Sequence, residues 1–458
     1  MVARVTVIGG GIAGSEAAYQ LGIRGIPVRL LEMRPDVPSP AHHSGDLGEL
    51  VCSNSLKSDD PNTAAGMLKR ELGELGSVVL SCARAHAVPA GGALAVDRTA
   101  FAAALTRVLE SLPSVEIVRG RADSIPEGDV ILATGPLTDP ALAPSLSQVV
   151  GEDRLAFFDA AAPIVDADGI DRDVCFAQSR YDKGESADYL NCPMDRETYE
   201  AFVDALLAAD RVQAKDFESR DLFHACMPVE EIARRGRDAL RFGPMKPVGL
   251  TDPATGRRAH AVVQLRAENR ANTAYNLVGF QTNLTFPEQR RVFGAIPGLA
   301  GATFLRYGVM HRNTFVDAPR LLRSDLSLRS DPRIRIAGQL AGTEGYMEAA
   351  ASGLVAALGI VRAGTAAQAP LSLPDVTALG SLLAYATDPD TAPYQPMHVN
   401  FGVMPPLDPP VRGKRERAAA YSARGGAVLR SWLCAAPDLA VRTPLDDVAV
   451  RTFEAAPR

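Results

Sequence analysis

Val5-Thr-Val-Ile-Gly-Gly-Gly-Ile-Ala-Gly-Ser-Glu-Ala-Ala18 decides the fold of this chain. Val5 to Ile8 is a short β-branched apolar run, the pattern of a buried parallel strand. Gly9, Gly11 and Gly14 follow as GxGxxG, and Ser15 to Gly22 has helix-forming character. In such a turn the first glycine permits a tight bend and the second lets a pyrophosphate approach the backbone. The third lets helix and strand pack closely. The helix start adds unpaired N–H groups and partial positive charge for phosphate. Ile8, Gly9, Gly10, Gly11, Ile12, Ala13 and Gly14 are therefore the expected nucleotide-binding turn. A second strand, Pro27 to Leu31, ends at Glu32, whose carboxylate is placed to hold ribose hydroxyls. The plain alternative is a glycine turn with no ligand. Strand, glycines, helix, strand and acidic end in register argue against it. The motif by itself does not separate FAD from NAD.

The chain has 458 residues, more than one hydrophobic core usually spans, so two domains are expected. It is 47% hydrophobic and 22% charged, a globular composition. Net charge is −6 and the pI about 5.8, so any nucleic-acid surface must be a local patch. Cys52, Cys82, Cys175, Cys192, Cys226 and Cys434 show no CxxC pair, so reduced thiols in a cytoplasmic protein are expected rather than a metal site or disulfide framework. A strand this close to the start leaves no expected room for a signal peptide. The longest apolar stretch, Ala349 to Val361, is broken by Ser352, Gly353 and Gly359 and is too short to span a bilayer, so no membrane is expected.

After the opening βαβ, a polar loop runs from Arg34 to Gly48. Leu68 to Leu80 reads as a helix running into a strand, Asp97 to Leu112 as an amphipathic helix, and Val115 to Val118 as a strand. Asp129 to Ala133 is another strand, ending in Thr134-Gly135-Pro136. From about Pro163 the texture changes, and strand-like pieces (Ala261 to Leu265, Asn276 to Phe280) alternate with polar helices, as in an inserted α+β domain of mixed sheet. Near Arg333 a parallel-strand pattern returns in Arg-Ile-Arg-Ile-Ala-Gly338. It leads through Gly342, Glu344 and Gly345 into an alanine-rich helix. Two glycine-bearing helix starts far apart in sequence favour FAD over NAD. The fold class is α/β: a Rossmann-like FAD-binding domain of the glutathione-reductase type with an inserted α+β domain. Residues 1–162 and 301–458 form the FAD-binding parts, 163–300 the insert, and the tail from Pro405 is helical and charged.

Cys226 precedes Pro228, Glu230 and Glu231, which suit a helix start. The field there favours thiolate, and the two glutamates oppose it if they point back; a bland buried cysteine is the alternative. Cys52 lies where an apolar run meets Ser53-Asn54-Ser55, a flavin-facing loop or, on local sequence, a capped helix start. His311 and Arg312 join an imidazole to a guanidinium, a pair that can stack on a heteroaromatic ring and hold a carboxylate; a solvated turn with a structural histidine is the alternative. Basic residues cluster at Arg234, Arg235 and Arg237, at Arg257 and Arg258, and at Arg412, Lys414, Arg415 and Arg417, each readable as a solvated helix face.

Taken together, ELVCSNSLKS, VPAGGALAVDR, CMPVEE, LRFGPMKPVGL, YNLVGFQTNL, RYGVMHRNTF, GQLAGTEGYMEAAASG and YQPMHVNFG make the chain resemble the bacterial folate- and FAD-dependent tRNA (uracil-5-)-methyltransferases, the TrmFO family. These segments span nearly the whole chain. The resemblance implies FAD, 5,10-methylenetetrahydrofolate as carbon donor, NAD(P)H as reductant, and methylation of one T-loop uridine in tRNA. By position, Cys226 matches the cysteine that attacks uracil and Cys52 the second functional cysteine. His311 matches the histidine that stacks folate, with Arg312 beside it. Gly9, Gly11, Gly14 and Glu32 match the nucleotide end, with Thr134, Gly135, Gly338, Gly342, Glu344 and Gly345 as further cofactor residues. Cys52, Glu344 and Glu348 are candidates for the base that removes the C5 proton. The same chemistry on ribosomal RNA, and a flavin oxidoreductase acting on small molecules, are the alternatives.

Overall fold

The computed structural model describes residues 4–39, 41–151, 154–160, 162–182, 188–212, 227–269, 271–308, 310–364, 370–391 and 394–439, with backbone alone for 154–160 and 310–314. Its centre is a five-stranded sheet in the order Ile334–Ile336, Val130–Leu132, Val5–Ile8, Val28–Glu32, Val115–Arg119. Every neighbouring pair in it is parallel. Numbered along the chain this is the order 3-2-1-4-5 read from its far edge, the Rossmann arrangement. The inner strands Val5–Ile8 and Val130–Leu132 are short, largely apolar and mostly buried, as in a sheet covered on both faces, whereas the edge strand Val115–Arg119 is partly exposed. The fifth strand arrives more than 200 residues after the fourth, so the sheet is closed by a distant part of the chain.

Two helices show why. Ile12–Gly22 is buried along its whole length. Tyr346–Ala363 lies against it, and a Cβ on Gly353 would stand 2.1 Å from the carbonyl oxygen of Ala13. Only glycine at 353 lets the two backbones meet. Among the described residues this second helix is the one long and apolar enough to cross a membrane, and 72% of it is buried inside the protein as a core helix.

The intervening chain builds a second sheet in the order Phe176–Ala177, Tyr189–Met194, Ala261–Ala267, Ala274–Leu277, Ile164–Asp166, Phe304–Arg306. All its pairings are antiparallel, which corrects the expected mixed sheet. It carries its own apolar core, including Phe202, Phe280 and Phe293. An antiparallel strand pair, Arg154–Ala160 with Met310–Val316, flanks it on both sides in sequence.

Other expectations change locally. Leu68 to Leu80 is not a helix leading to a strand but the end of one helix, Ala64–Glu74, and the start of another, Val78–Ala85. Gly76 turns the chain at φ +70°. Ser77 Oγ then accepts from Leu80 N (3.2 Å), and the buried Glu16 accepts from Val79 N (3.1 Å). These two caps override the β-preference of Val78-Val79. Strand pairing begins at Ala274 rather than Asn276 and ends at Leu277. Cys52-Ser53-Asn54 does not start a helix; it is a bend leading into the strand Ser55–Ser58, and the next helix is capped by Thr63.

Glu71 caps a third helix, accepting from the N–H groups of Ala378 (2.9 Å) and Leu379 (2.8 Å). Burial outweighs those bonds and pushes its carboxyl up from 4.5 to about 7. Between these values the folded state holds a proton that the unfolded chain releases. Its contribution to stability therefore falls as pH rises through that window. The stability difference between wild type and Glu71→Gln, read from urea midpoints, should decline from about pH 4.5 to about pH 7 and then flatten. A difference independent of pH would contradict this account of Glu71.

Candidate functional site

The carboxyl ends of the parallel strands open into one cleft of about 1120 Å³, counting its mouth. One wall is Ile8, Gly9, Gly11, Ile12 and Ala13, and another is Leu31, Glu32, Met33 and Arg34. Ala133 to Leu137 form a third, which brings in Thr134 and Gly135. Gly338, Gln339, Tyr346 and Ala349 close it from the distant part of the chain. This is where open α/β sheets bind ligands.

The glycines divide the labour as their spacing implies. A Cβ on Gly14 would stand 1.8 Å from Gly9 O, so this glycine seats the helix on the strand. Gly9 sits at φ +102° with Ala133 O 2.4 Å from where a Cβ would be. A Cβ on Gly11 would meet no atom within 4 Å. Its peptide is bared to the cleft, at the start of a helix whose first turn has neither a side-chain cap nor an acid. A pyrophosphate fits that cradle.

Glu32 accepts from Gly10 N (2.8 Å) and from Arg34 N (3.0 Å) and Nε (2.8 Å). Burial opposes its charge, but the bonds and charge of Arg34, with Gly10, win and hold the carboxyl below its usual range. An ionised carboxylate at this end suits ribose hydroxyls. Arg34 also reaches Glu49 Oε2 (3.1 Å). His42 lines the same end, and burial, then the Arg34 cation, pushes its imidazole down to about 4, so the ring is neutral. Sequence reasoning missed Arg34, His42, Glu49 and Tyr346. Only Arg34, two residues beyond Glu32, carried a local signal.

Gly342 does not face the cleft; its missing side chain is filled by the Tyr394 hydroxyl. Gly345 stands directly before the helix Tyr346–Ala363, facing Glu348 and Lys57, and neither it nor Glu344 is in the cleft wall. Glu344 reaches the wall through Gln339, whose amide donates to Glu344 Oε2 (2.6 Å). Glu348 Oε1 is engaged by Lys57 Nζ (2.9 Å) and Val399 N (3.2 Å).

Cys52 lies beside the wall formed by Val51 and Tyr346. Its N–H donates to the Tyr346 hydroxyl (2.8 Å), and burial first, then Cys52, raises the phenol above its usual range. Three carbonyls of this loop are held by arginines: Leu50 and Cys52 by Arg98, Val51 by Arg306. Asn54 is fully buried and ties the loop to the second sheet, donating to Val96 O (3.0 Å) and Ala267 O (2.9 Å) and accepting from Arg266 Nε (2.9 Å). Arg98 pairs with Glu268 Oε2 (2.8 Å), while the buried Oε1 of Glu268 has no partner among the described residues.

Cys226 lies outside the described residues. The helix after it, Val229–Arg234, has its glutamates committed. Glu230 accepts from Thr282 Oγ1 (2.9 Å) and Asn283 N (2.7 Å), and Glu231 pairs with Arg211. Burial raises the Glu230 carboxyl. His311 and Arg312 stand on the strand Met310–Val316, opposite Asp159 and Phe158, and their side chains are outside the described ones. No group of three His, Cys, Asp or Glu among the described residues could hold a metal.

Sheet order and cleft define a dinucleotide-binding flavoprotein fold. GidA of Aquifex aeolicus shares it, with a TM-score of 0.66 at 16% identity over 98% of this chain and 78% of that one. A second crystal form gives 0.64. The family profile "Glucose inhibited division protein A" matches residues 4–367. Two relatives named methylenetetrahydrofolate–tRNA-(uracil-5-)-methyltransferase TrmFO are each 54% identical: that of Pelobacter propionicus over 94% of both chains, and that of Geobacter sulfurreducens over 94% of this chain and 99% of its own. The chain belongs to the GIDA family, among the TrmFO proteins.

The residues fit FAD, and Gly11 tests the fit. Its backbone is extended, at φ −71° and ψ −169°, and no atom blocks a side chain. Gly11→Val should fold with unchanged circular dichroism yet lose bound flavin, read as the visible absorbance of the purified protein. Full flavin occupancy in the folded variant would refute the placement.

Proposed function

We propose that this chain methylates uridine at C5 in tRNA, forming 5-methyluridine at position 54 of the T-loop. The carbon comes from 5,10-methylenetetrahydrofolate and the electrons from NAD(P)H. The observation that carries the proposal is 54% identity over 94% of the chain to proteins named for that reaction. The cleft built for a dinucleotide supports it. Bound FAD supplies the hydride that completes the methyl group.

The chemistry sets what the protein's own residues must do. Uracil C5 is a poor nucleophile, and a thiolate added at C6 turns it into an enolate carbon. Cys226 is proposed for that attack. The two glutamates after it oppose a thiolate only weakly, because Glu231 is paired with Arg211 and burial favours the neutral form of Glu230, and this supports the assignment. Once the methylene is captured, a base takes the C5 proton and the thiol leaves. Cys52, Glu344 and Glu348 remain the proposed set for this base. Glu348 is the weakest of them, since Lys57 and Val399 N already engage it. His311 and Arg312 are proposed to hold the folate. Gly9, Gly11, Gly14, Glu32, Thr134, Gly135 and Gly338 are proposed to hold FAD, with Gly342, Glu344 and Gly345 supporting the helix start behind them.

The same reading divides the chain into 1–162 and 301–458 for the cofactor and 163–300 for the insert, in a cytoplasmic enzyme. The separate apolar core of the second sheet supports this division. The target uridine is normally stacked, so it must be flipped or already exposed to reach a thiolate.

Methyl label should pass to tRNA from methylenetetrahydrofolate when NAD(P)H is present. Transfer from S-adenosylmethionine by the purified protein would overturn the reading. The nucleophile has its own test. RNA carrying 5-fluorouracil at the target should trap a denaturation-resistant complex, and Cys226→Ala should abolish that complex while keeping FAD. If the complex survives in Cys226→Ala and disappears in Cys52→Ala, the two roles are reversed.

A further inference from the structure

The helix Lys414–Ala435 near the end of the described chain is charged in a way its own stability does not explain. Between Pro405 and Ala435 stand six cations (Arg412, Lys414, Arg415, Arg417, Arg424, Arg430) and two acids (Asp408, Glu416), in a chain whose net charge is −6. The cations divide into two groups. Arg424 is structural: it donates to the carbonyls of Pro405 (2.6 Å) and Pro406 (2.8 Å) and lies over the Tyr421 ring. Arg430 pairs with Glu74 (3.2 Å). Arg412, Lys414, Arg415 and Arg417 are exposed, and none makes an ion pair or side-chain hydrogen bond among the described residues. Lys414, Arg415 and Arg417 lie in the first turn of the helix and Arg412 just before its cap, Gly413, where the macrodipole disfavours positive side chains. Glu416, the one acid there, folds back over Gly413 and leaves the turn with a positive excess. Four exposed cations, unpaired among the described residues and gathered at the electrostatically unfavourable end of a helix, suit an external polyanion.

Their position fits one. Tyr421 stacks on Phe401 (5.1 Å between ring centres). The segment before Phe401 is clamped to the entrance of the cofactor helix, with Met397 N donating to Gly342 O (3.0 Å) and Glu344 N to Met397 O (2.9 Å). Lys414 is seven residues, or about 10 Å of helix, from Tyr421. The basic cluster is thus joined by a short, packed path to the segment that seats Glu344.

We propose that Arg412, Lys414, Arg415 and Arg417 bind the phosphate backbone of the tRNA substrate outside the catalytic cleft. This rests on the proposed function and adds a positioning surface to it. The contact is to phosphate, so it contributes affinity and orientation without reading sequence.

The test is binding of an unmodified tRNA transcript to the FAD-loaded protein from about 50 to about 200 mM KCl, where each neutralised phosphate adds roughly one unit to the slope of log K against log salt. The variant R412Q/K414Q/R415Q/R417Q should bind at least about tenfold more weakly at the lowest salt and lose about two to four units of that slope. Its flavin should still be reduced by NAD(P)H at the wild-type rate, which needs no RNA. R430Q, which removes a paired cation, should leave the slope unchanged. A wild-type slope in the fourfold variant, or an equal loss in R430Q, overturns the surface. A wild-type enzyme that forms no 5-methyluridine overturns the underlying reading instead.

Discussion

The backbone contact between Gly353 and Ala13 is the constraint on which the rest depends. A methyl group at 353 would stand 2.1 Å from Ala13 O, and one at 14 would stand 1.8 Å from Gly9 O. Three chain segments, Gly9–Gly14, the strand Val5–Ile8 and the helix Tyr346–Ala363, therefore pack at distances that only glycine permits. That closeness brings Gly338, Gln339 and Tyr346 against the first glycine turn and makes one cleft from segments more than 300 residues apart. The cofactor site is in this sense a consequence of helix packing. Gly11, whose Cβ direction is empty, is the glycine of the motif that no packing contact explains.

A second constraint joins the cleft to the antiparallel sheet. Asn54 spends its amide on backbone carbonyls from both sides, Val96 and Ala267, and accepts from Arg266. Arg98 and Arg306 hold the carbonyls of Leu50, Val51 and Cys52. Buried polar groups are costly unless paired, so such a network holds one arrangement of loop and sheet and disfavours others. Cys52 is consequently carried on a rigid loop beside Tyr346, the setting a group needs if it is to act at a fixed distance from a cofactor.

The nucleotide half was legible because its signals are local. Val5–Ile8, GxGxxG and Glu32 lie within one βαβ unit, and backbone sterics demand Gly9 and Gly14 where they stand. What failed to show in the sequence depends on partners far along the chain. Val78-Val79-Leu80 looks like a strand until Glu16, from another helix, caps it. Ser53-Asn54 looks like a helix cap because nothing local reveals that Arg266 and Ala267 take up Asn54. Gly342 has the spacing of a phosphate glycine, yet Tyr394, fifty-two residues on, fills its space. The roles of Cys226, His311 and Arg312 were legible only through resemblance, since local sequence leaves a buried cysteine and a structural histidine open.

The family's chemistry needs an RNA target, and the choice of target is the most consequential part of the account. Shape and charge on the surface choose between tRNA and ribosomal RNA, while the same cleft would serve both. Mass mapping of 5-methyluridine in tRNA and rRNA from cells lacking this gene tests that choice directly. The account predicts loss of the modification from the T-loop of tRNA, unchanged rRNA, and restoration by the wild-type gene. Intact 5-methyluridine in tRNA with loss from rRNA would contradict it.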